Sequence, residues 1–174
     1  MVAKYNPYGT IQWQKILGGT GQDTAKSIAF DSSDYFYVFG ECQITSGPLN
    51  SLIAKYDSAG TIQWQRTLSS AATDVGISVT VDLSNNIYAI GTTSSAGAGS
   101  NDFLFAKLPN DGSLTGTYVL NGVNIVYAAS SFTAATSSVS ARTSSLTAAT
   151  STLTSATPSL TSASASLTSY LVTL

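Results

Sequence analysis

Apolar positions in the first 128 residues fall in short runs separated by Gly, Asn, Asp and Ser. The runs are Ser27–Phe30, Tyr35–Phe39, Ser51–Tyr56 and Thr61–Gln65, then Ile77–Val81, Ile87–Ile90, Phe103–Lys107 and Leu114–Leu120. Runs this short, rich in β-branched and aromatic residues and bounded by turn formers, predict strands. No stretch there sustains a 3.6-residue apolar stripe, so helices are not expected. Beyond residue 128 the spacing changes. Phe132, Val139, Leu146, Leu153, Leu160, Leu167 and Leu174 stand seven residues apart. Three residues after the first six come Ala135, Arg142, Ala149, Ala156, Ala163 and Tyr170. This heptad pattern predicts an α-helical coiled-coil seam. An odd period puts successive residues on opposite faces of a straight strand, whereas a helix supercoiled at about 3.5 residues per turn keeps them aligned.

The strand runs recur. Ala3-Lys4-Tyr5-Asn6-Pro7-Tyr8-Gly9-Thr10-Ile11-Gln12-Trp13-Gln14 returns 51 residues later as Ala54-Lys55-Tyr56-Asp57-Ser58-Ala59-Gly60-Thr61-Ile62-Gln63-Trp64-Gln65. A third, degraded copy opens at Ala106-Lys107-Leu108 and keeps Gly112, with Gly116 where the Trp belongs. The turn chemistry recurs too. Asp31 and Asp82 follow the first strand of each unit, where a carboxylate accepts from backbone N–H groups two residues on. Asn85-Asn86 lies at a hairpin tip that wants positive φ. Gly40 and Gly91 are expected to end the second strand, and Gly9 and Gly60 to turn the chain before the Trp strand.

Four antiparallel strands in about 50 residues make one blade of a β-propeller. The fold expected is mainly β: about two and a half four-stranded propeller-like blades over residues 1–128, then a heptad stalk over 129–174. The repeats run over about 3–53, 54–105 and 106–128. The first unit starts in mid-blade, so a single chain holds too few strands to close a propeller, and open strand edges invite pairing with other chains.

The tail has a propensity problem. Ser and Thr each cost about 0.5 kcal/mol relative to Ala in a helix, and Pro158 about 3 in an interior. Packing copies against one another offsets this, each buried Leu contributing about 1.5–3 kcal/mol. An extended Ser/Thr-rich stalk and a β arrangement stand as alternatives.

Composition narrows the function classes. Charged residues are 9% of the chain, the net charge is −2 and there is no His. A basic surface for nucleic acid is lacking, and so is the commonest general base and metal ligand. Cys42 is the one cysteine, so no intrachain disulfide forms. The N-terminus lacks the profile of a secretion signal, and no apolar run reaches the roughly 18 residues of a membrane helix. Most acidic residues recur at turn positions, which argues against the carboxylate pair of a glycosidase. Asp31-Ser32-Ser33-Asp34 is a poor calcium loop. Gly18-Gly19-Thr20-Gly21 lacks the helix and the following Lys-Ser/Thr of a phosphate loop. Trp13 and Trp64 occupy identical repeat positions, which suits a core between blades; exposed, they would stack on sugar rings.

The unit Ala3–Trp13, followed by Gly18-Gly19-Thr20-Gly21-Gln22-Asp23 and Asp31–Gly40, resembles the bacterial and phage β-propeller repeat. Leu-Thr-Ser-Ala-Thr heptads beside such repeats resemble virion fibre proteins of cyanophages. The resemblance implies a non-enzymatic structural subunit of a phage particle, without cofactor or metal, made in a host cytoplasm and located in the virion. The expected partners are copies of itself, as a homotrimer, and other virion proteins. A carbohydrate-binding adhesion module that recognises a host surface glycan is the alternative.

Overall fold

The computed structural model describes residues 1–44, 46–97, 100–120 and 122–136, the side chains only as far as Phe132. The chain divides into a unit spanning Met1–Ala141 and a second spanning Arg142–Leu174. The second unit lies outside the described residues, and with it the predicted seam positions Leu146, Leu153, Leu160, Leu167 and Leu174; Val139, in the first unit, also lies outside them.

Every described element is a strand. Strands β3 (Asp23–Phe30), β4 (Phe36–Cys42), β5 (Asn50–Tyr56) and β6 (Ile62–Ser69) pair antiparallel in chain order as one complete blade. Strands β7 (Asp74–Val81), β8 (Ile87–Thr93) and β9 (Asp102–Leu108) form a three-stranded sheet. Strands β1 (Val2–Tyr5) and β2 (Ile11–Gly18) form a half-blade. The repeat is kept down to its irregularities. The register shifts at Lys4/Tyr5 and again at Lys55/Tyr56, and at Ala25/Ser27 and again at Gly76/Ser78.

The turn chemistry is as the sequence implies. Asp31 Oδ1 accepts from the Ser33 and Tyr35 N–H groups at 2.9 and 3.0 Å, and Asp82 Oδ1 from Ser84 and Asn86 at 2.9 and 2.9 Å. Asp34 and Asn85 take the left-handed conformation, each with φ of 62°. Gly40 and Gly91 differ from expectation: they sit inside β4 and β8, which continue to Cys42 and Thr93. They face the bulges, where a Cβ would lie 2.0 Å from Thr24 O and 2.2 Å from Val75 O.

Burial separates the two sheets. Almost every residue of β4 and β5 is buried, whereas β9 alternates, with Leu104 and Leu108 buried and Phe103 and Phe105 exposed. Strands β4 and β5 of the complete blade are covered on both faces, while β3 leaves Ile28 and Phe30 exposed and the three-stranded sheet is covered on one face. On one side of the blade, Tyr37, Phe39 and Ile53 pack against Val79, Ile87 and Ala89. On the other, Phe36, Ala54 and Tyr56 meet Val2, Trp13 and Leu17 of the half-blade.

The end of the β region departs from the simple repeat. Strand β10 (Gly116–Leu120) was expected as the fourth strand beside β9. It instead pairs with β11 (Val123–Ala129), in a hairpin whose turn includes Gly122 at φ 80°. β11 then pairs with the outer edge of β6, giving the order β10-β11-β6-β5-β4-β3. Gly116 stands where the earlier copies carry Trp13 and Trp64. A last strand, β12 (Thr133–Thr136), pairs with the outer edge of β2. The β structure therefore continues past residue 128 into the first heptad.

β11 and β12 are related in an unexpected way. Val126 and Ala129 face Ser69 and Arg66, while Thr133 and Thr136 face Gly18 and Lys15. Moving seven residues along this strap moves 51 residues along the repeat, from one blade edge to the equivalent edge of its neighbour. The buried residues follow the same step. Phe132 packs with Cys42, Leu52 and Leu17. Ile125, seven residues earlier, shares a cavity lining with Leu104 and Leu68, the counterparts of Leu52 and Leu17. Replacing Phe132 by Ala should destabilise the fold by about 3 kcal/mol. Urea unfolding with an unchanged midpoint would show that the strap contributes nothing.

Candidate functional site

The chemically distinctive groups lie where one repeat meets the next. The Trp13 indole N–H donates to Ser58 O at 3.2 Å, and the Lys4 ammonium donates to the same oxygen at 3.2 Å. One repeat on, Trp64 donates to Asn110 O at 3.0 Å and Lys55 to the same oxygen at 3.1 Å. Each indole also lies flat against the turn glycine of the following repeat. A Cβ on Gly60 would approach the Trp13 ring to 2.9 Å, and one on Gly112 the Trp64 ring to 2.7 Å. The Lys-x₈-Trp spacing thus makes a two-pronged clasp on a single backbone carbonyl.

The clasps end where the repeat ends. Gly9 heads the equivalent turn of the first unit and has nothing within 4 Å of its Cβ position. Lys107, the counterpart of Lys4 and Lys55, lies over the Tyr88 ring at 5.6 Å, as Lys55 lies over Tyr37 at 5.2 Å. Both tryptophans are partly buried, and their N–H groups are engaged within the protein. Trp13 also stacks on Phe36, with centroids 5.8 Å apart, and Phe36 on Tyr56 at 5.0 Å. The glycines that receive the indoles carry no apolar signal of their own; only the repeat offset could have found them.

Several carboxylates are held by backbone and neighbours, while Asp23 Oδ1, Asp74 Oδ1 and Asp102 Oδ2 are buried without a hydrogen-bond partner among the described residues. Asp31 Oδ2 accepts from the Tyr37 hydroxyl at 3.0 Å and pairs with Lys55 at 3.6 Å. Asp57 accepts from Ala59 and Thr61 N–H groups at 3.0 and 2.8 Å. Asp23 and Asp74 accept from the backbone N–H four residues earlier, at Gly19 and Ser70. Hydrogen bonds from Asn86, side chain and backbone, and from Tyr88 and Ser84 hold Asp82 below its ordinary pKa, and Ser113 does the same for Asp111. Among the described residues, no group of three or more His, Cys, Asp or Glu is placed to hold a metal ion. The Gly18–Gly21 run lies where β2 passes into β3. Glycine at position 19 makes room for Phe132, whose ring a Cβ would meet at 2.5 Å.

Of the predicted seam, only Phe132 is described, and it is buried in the β region rather than aligned with a helical partner. Cys42 is fully buried beside it. Burial, with Asp23 nearby, pushes its thiol from 9.0 up to about 12.

No family model matches the chain. An uncharacterized WD repeat-containing protein of Acanthamoeba polyphaga mimivirus is 30% identical over 115 residues, which cover 52% of this chain and 8% of that protein. The chain thus spans a small part of that relative's length. With the all-antiparallel sheets and the 51-residue offset, this likeness marks the chain as a β-repeat protein.

Two outcomes follow. Alanine at Gly9 should cost only the strain of a left-handed residue, about 1–2 kcal/mol. Alanine at Gly60 or Gly112 should cost about 1–3 kcal/mol more, because the methyl group meets an indole. Equal losses at all three positions, measured by urea unfolding, would remove the clasp. The second outcome concerns pH. Burial raises Cys42 from 9.0, and Tyr56 and Tyr127 from 10.0, each to about 12. Above pH 9 the unfolded chain loses these protons before the folded protein does. Stability should therefore hold through neutral pH and fall between about pH 9 and 12. A midpoint that stays flat across that window would contradict the burial of these groups.

Proposed function

We propose that this chain is a non-enzymatic structural subunit of a phage particle, a fibre, spike or decoration protein of the virion that works by self-association. One observation carries the reading: apolar sheet faces of the kind that pack inside the chain are also presented outward. Tyr88, Ile90 and Phe105 correspond to Tyr37, Phe39 and Ile53, the residues that hold the next sheet in the core. Phe105 is 64% exposed and the adjacent Phe103 94%. Exposed apolar patches of this character mark association surfaces. The engagement of the carboxylates in turns supports a scaffold over a hydrolase, and the WD repeat-containing viral relative supports a repeat scaffold.

The assembly we favour is a homotrimer, in which uncovered faces and open strand edges of three copies complete one another. Native mass spectrometry of the purified chain at micromolar concentration should give a mass of three chains. A monomer at every accessible concentration would overturn the reading.

A further inference from the structure

The repeat offset exposes a recess and a matching plug at different places on the same chain. Strand β1 is the counterpart of β5. β5 is paired on both edges, by β4 and β6, whereas among the described strands β1 is paired by β2 alone. Beside it, Ile28 and Phe30 of β3 are the counterparts of Val79 and Val81 of β7. Val79 is covered by the neighbouring sheet and 5% exposed; Ile28 and Phe30 are 50% and 64% exposed. The open edge and the uncovered pair border one recess of about 400 Å³, which Trp13 and Phe36 also line. The chain's own complete blade thus specifies what this place accepts: a strand that pairs antiparallel with β1 and lays apolar side chains on Ile28 and Phe30.

The β10–β11 hairpin has the complementary character. β10 is the edge strand of its sheet, and all five of its residues are exposed. It carries Tyr118, Val119 and Leu120 and no charge, and no described strand pairs with its outer edge. An apolar, uncharged, open edge of this kind is a template for pairing with another chain. The recess offers the four-residue edge of β1 to the five residues of β10, with only Lys4 and Asp34 as charged residues in its lining.

We propose that the β10–β11 hairpin of one copy enters the recess of a second copy, β10 pairing with the open edge of β1 and covering Ile28 and Phe30. The inference rests on the self-assembly reading above and supplies that assembly with a contact. The two surfaces are different, so the contact is head-to-tail. It passes from copy to copy and ends either in a closed ring, such as a trimer, or in a filament.

This geometry has a test that a symmetric contact would not pass. Phe30→Asp blocks the recess and leaves the hairpin intact; Val119→Asp blocks the hairpin and leaves the recess intact. Both positions are exposed, so each variant should melt as the unchanged chain does; Ile28→Asp and Leu120→Asp replace either one that fails to fold. Placing an unpaired charge in the contact should weaken association by about 100-fold or more. In sedimentation velocity each variant alone should be monomeric. Mixed in equal amounts, the two should form a dimer and nothing larger, because one intact recess meets one intact hairpin. Variants that assemble as the unchanged chain does would overturn this contact while leaving self-assembly standing. Loss of assembly with no dimer on mixing would assign these residues to a symmetric contact and overturn the head-to-tail arrangement. An unchanged chain that is monomeric throughout would overturn both.

Discussion

A sheet of this repeat has apolar side chains on both faces, and only another sheet can exclude water from them. Every other feature of the structure depends on that constraint. The two central strands of the complete blade satisfy it with a sheet on either side, so β4 and β5 are buried along almost their whole length, while Ile28 and Phe30 of its outer strand β3 stay exposed. The three-stranded sheet satisfies it once, and Phe103 and Phe105 remain in solvent. Face burial is non-directional and would tolerate sliding. The clasp supplies the direction: Trp and Lys of one repeat meet on one carbonyl of the next, and a glycine beneath the indole sets how closely the two approach. Repeat proteins of this kind are held by nearest-neighbour interfaces, so their ends are where unsatisfied surface collects.

The strap adds a second device on a different period. β11 and β12 bind equivalent edges of successive repeats, and a step of seven residues between them matches a step of 51 in the blades. Ile125 and Phe132 seal corresponding clefts at that spacing. In the described part of the chain, the seven-residue period thus has a meaning as extended structure.

Much of the fold was legible because the repeat carries turn chemistry as well as apolar residues. Asp31 and Asp82, read as turn makers, accept the expected N–H bonds, and the strands between them lie close to where their apolar runs fall. Gly40 and Gly91 misled because a glycine opposite a bulge and a glycine at a strand end look alike in sequence; the close approach of Thr24 O and Val75 O belongs to the pairing. β10 misled for another reason. Its apolar run fits a fourth strand, but an apolar run does not say which edge a strand will pair with. The indole beds at Gly60 and Gly112 were invisible from apolar pattern alone, since a glycine that receives a ring resembles any turn glycine until the neighbouring repeat is placed on it.

The account turns on coverage: a sheet is stable in proportion to the faces that neighbouring repeats cover. Native-state hydrogen exchange across the described strands tests this most directly. The amides of β5, between two sheets, should exchange far more slowly than those of β9, which lies at the end of the stack with one face in solvent. Protection of β9 equal to that of β5 would mean that each sheet is stable by itself, and inter-repeat packing would lose its place as the organising interaction.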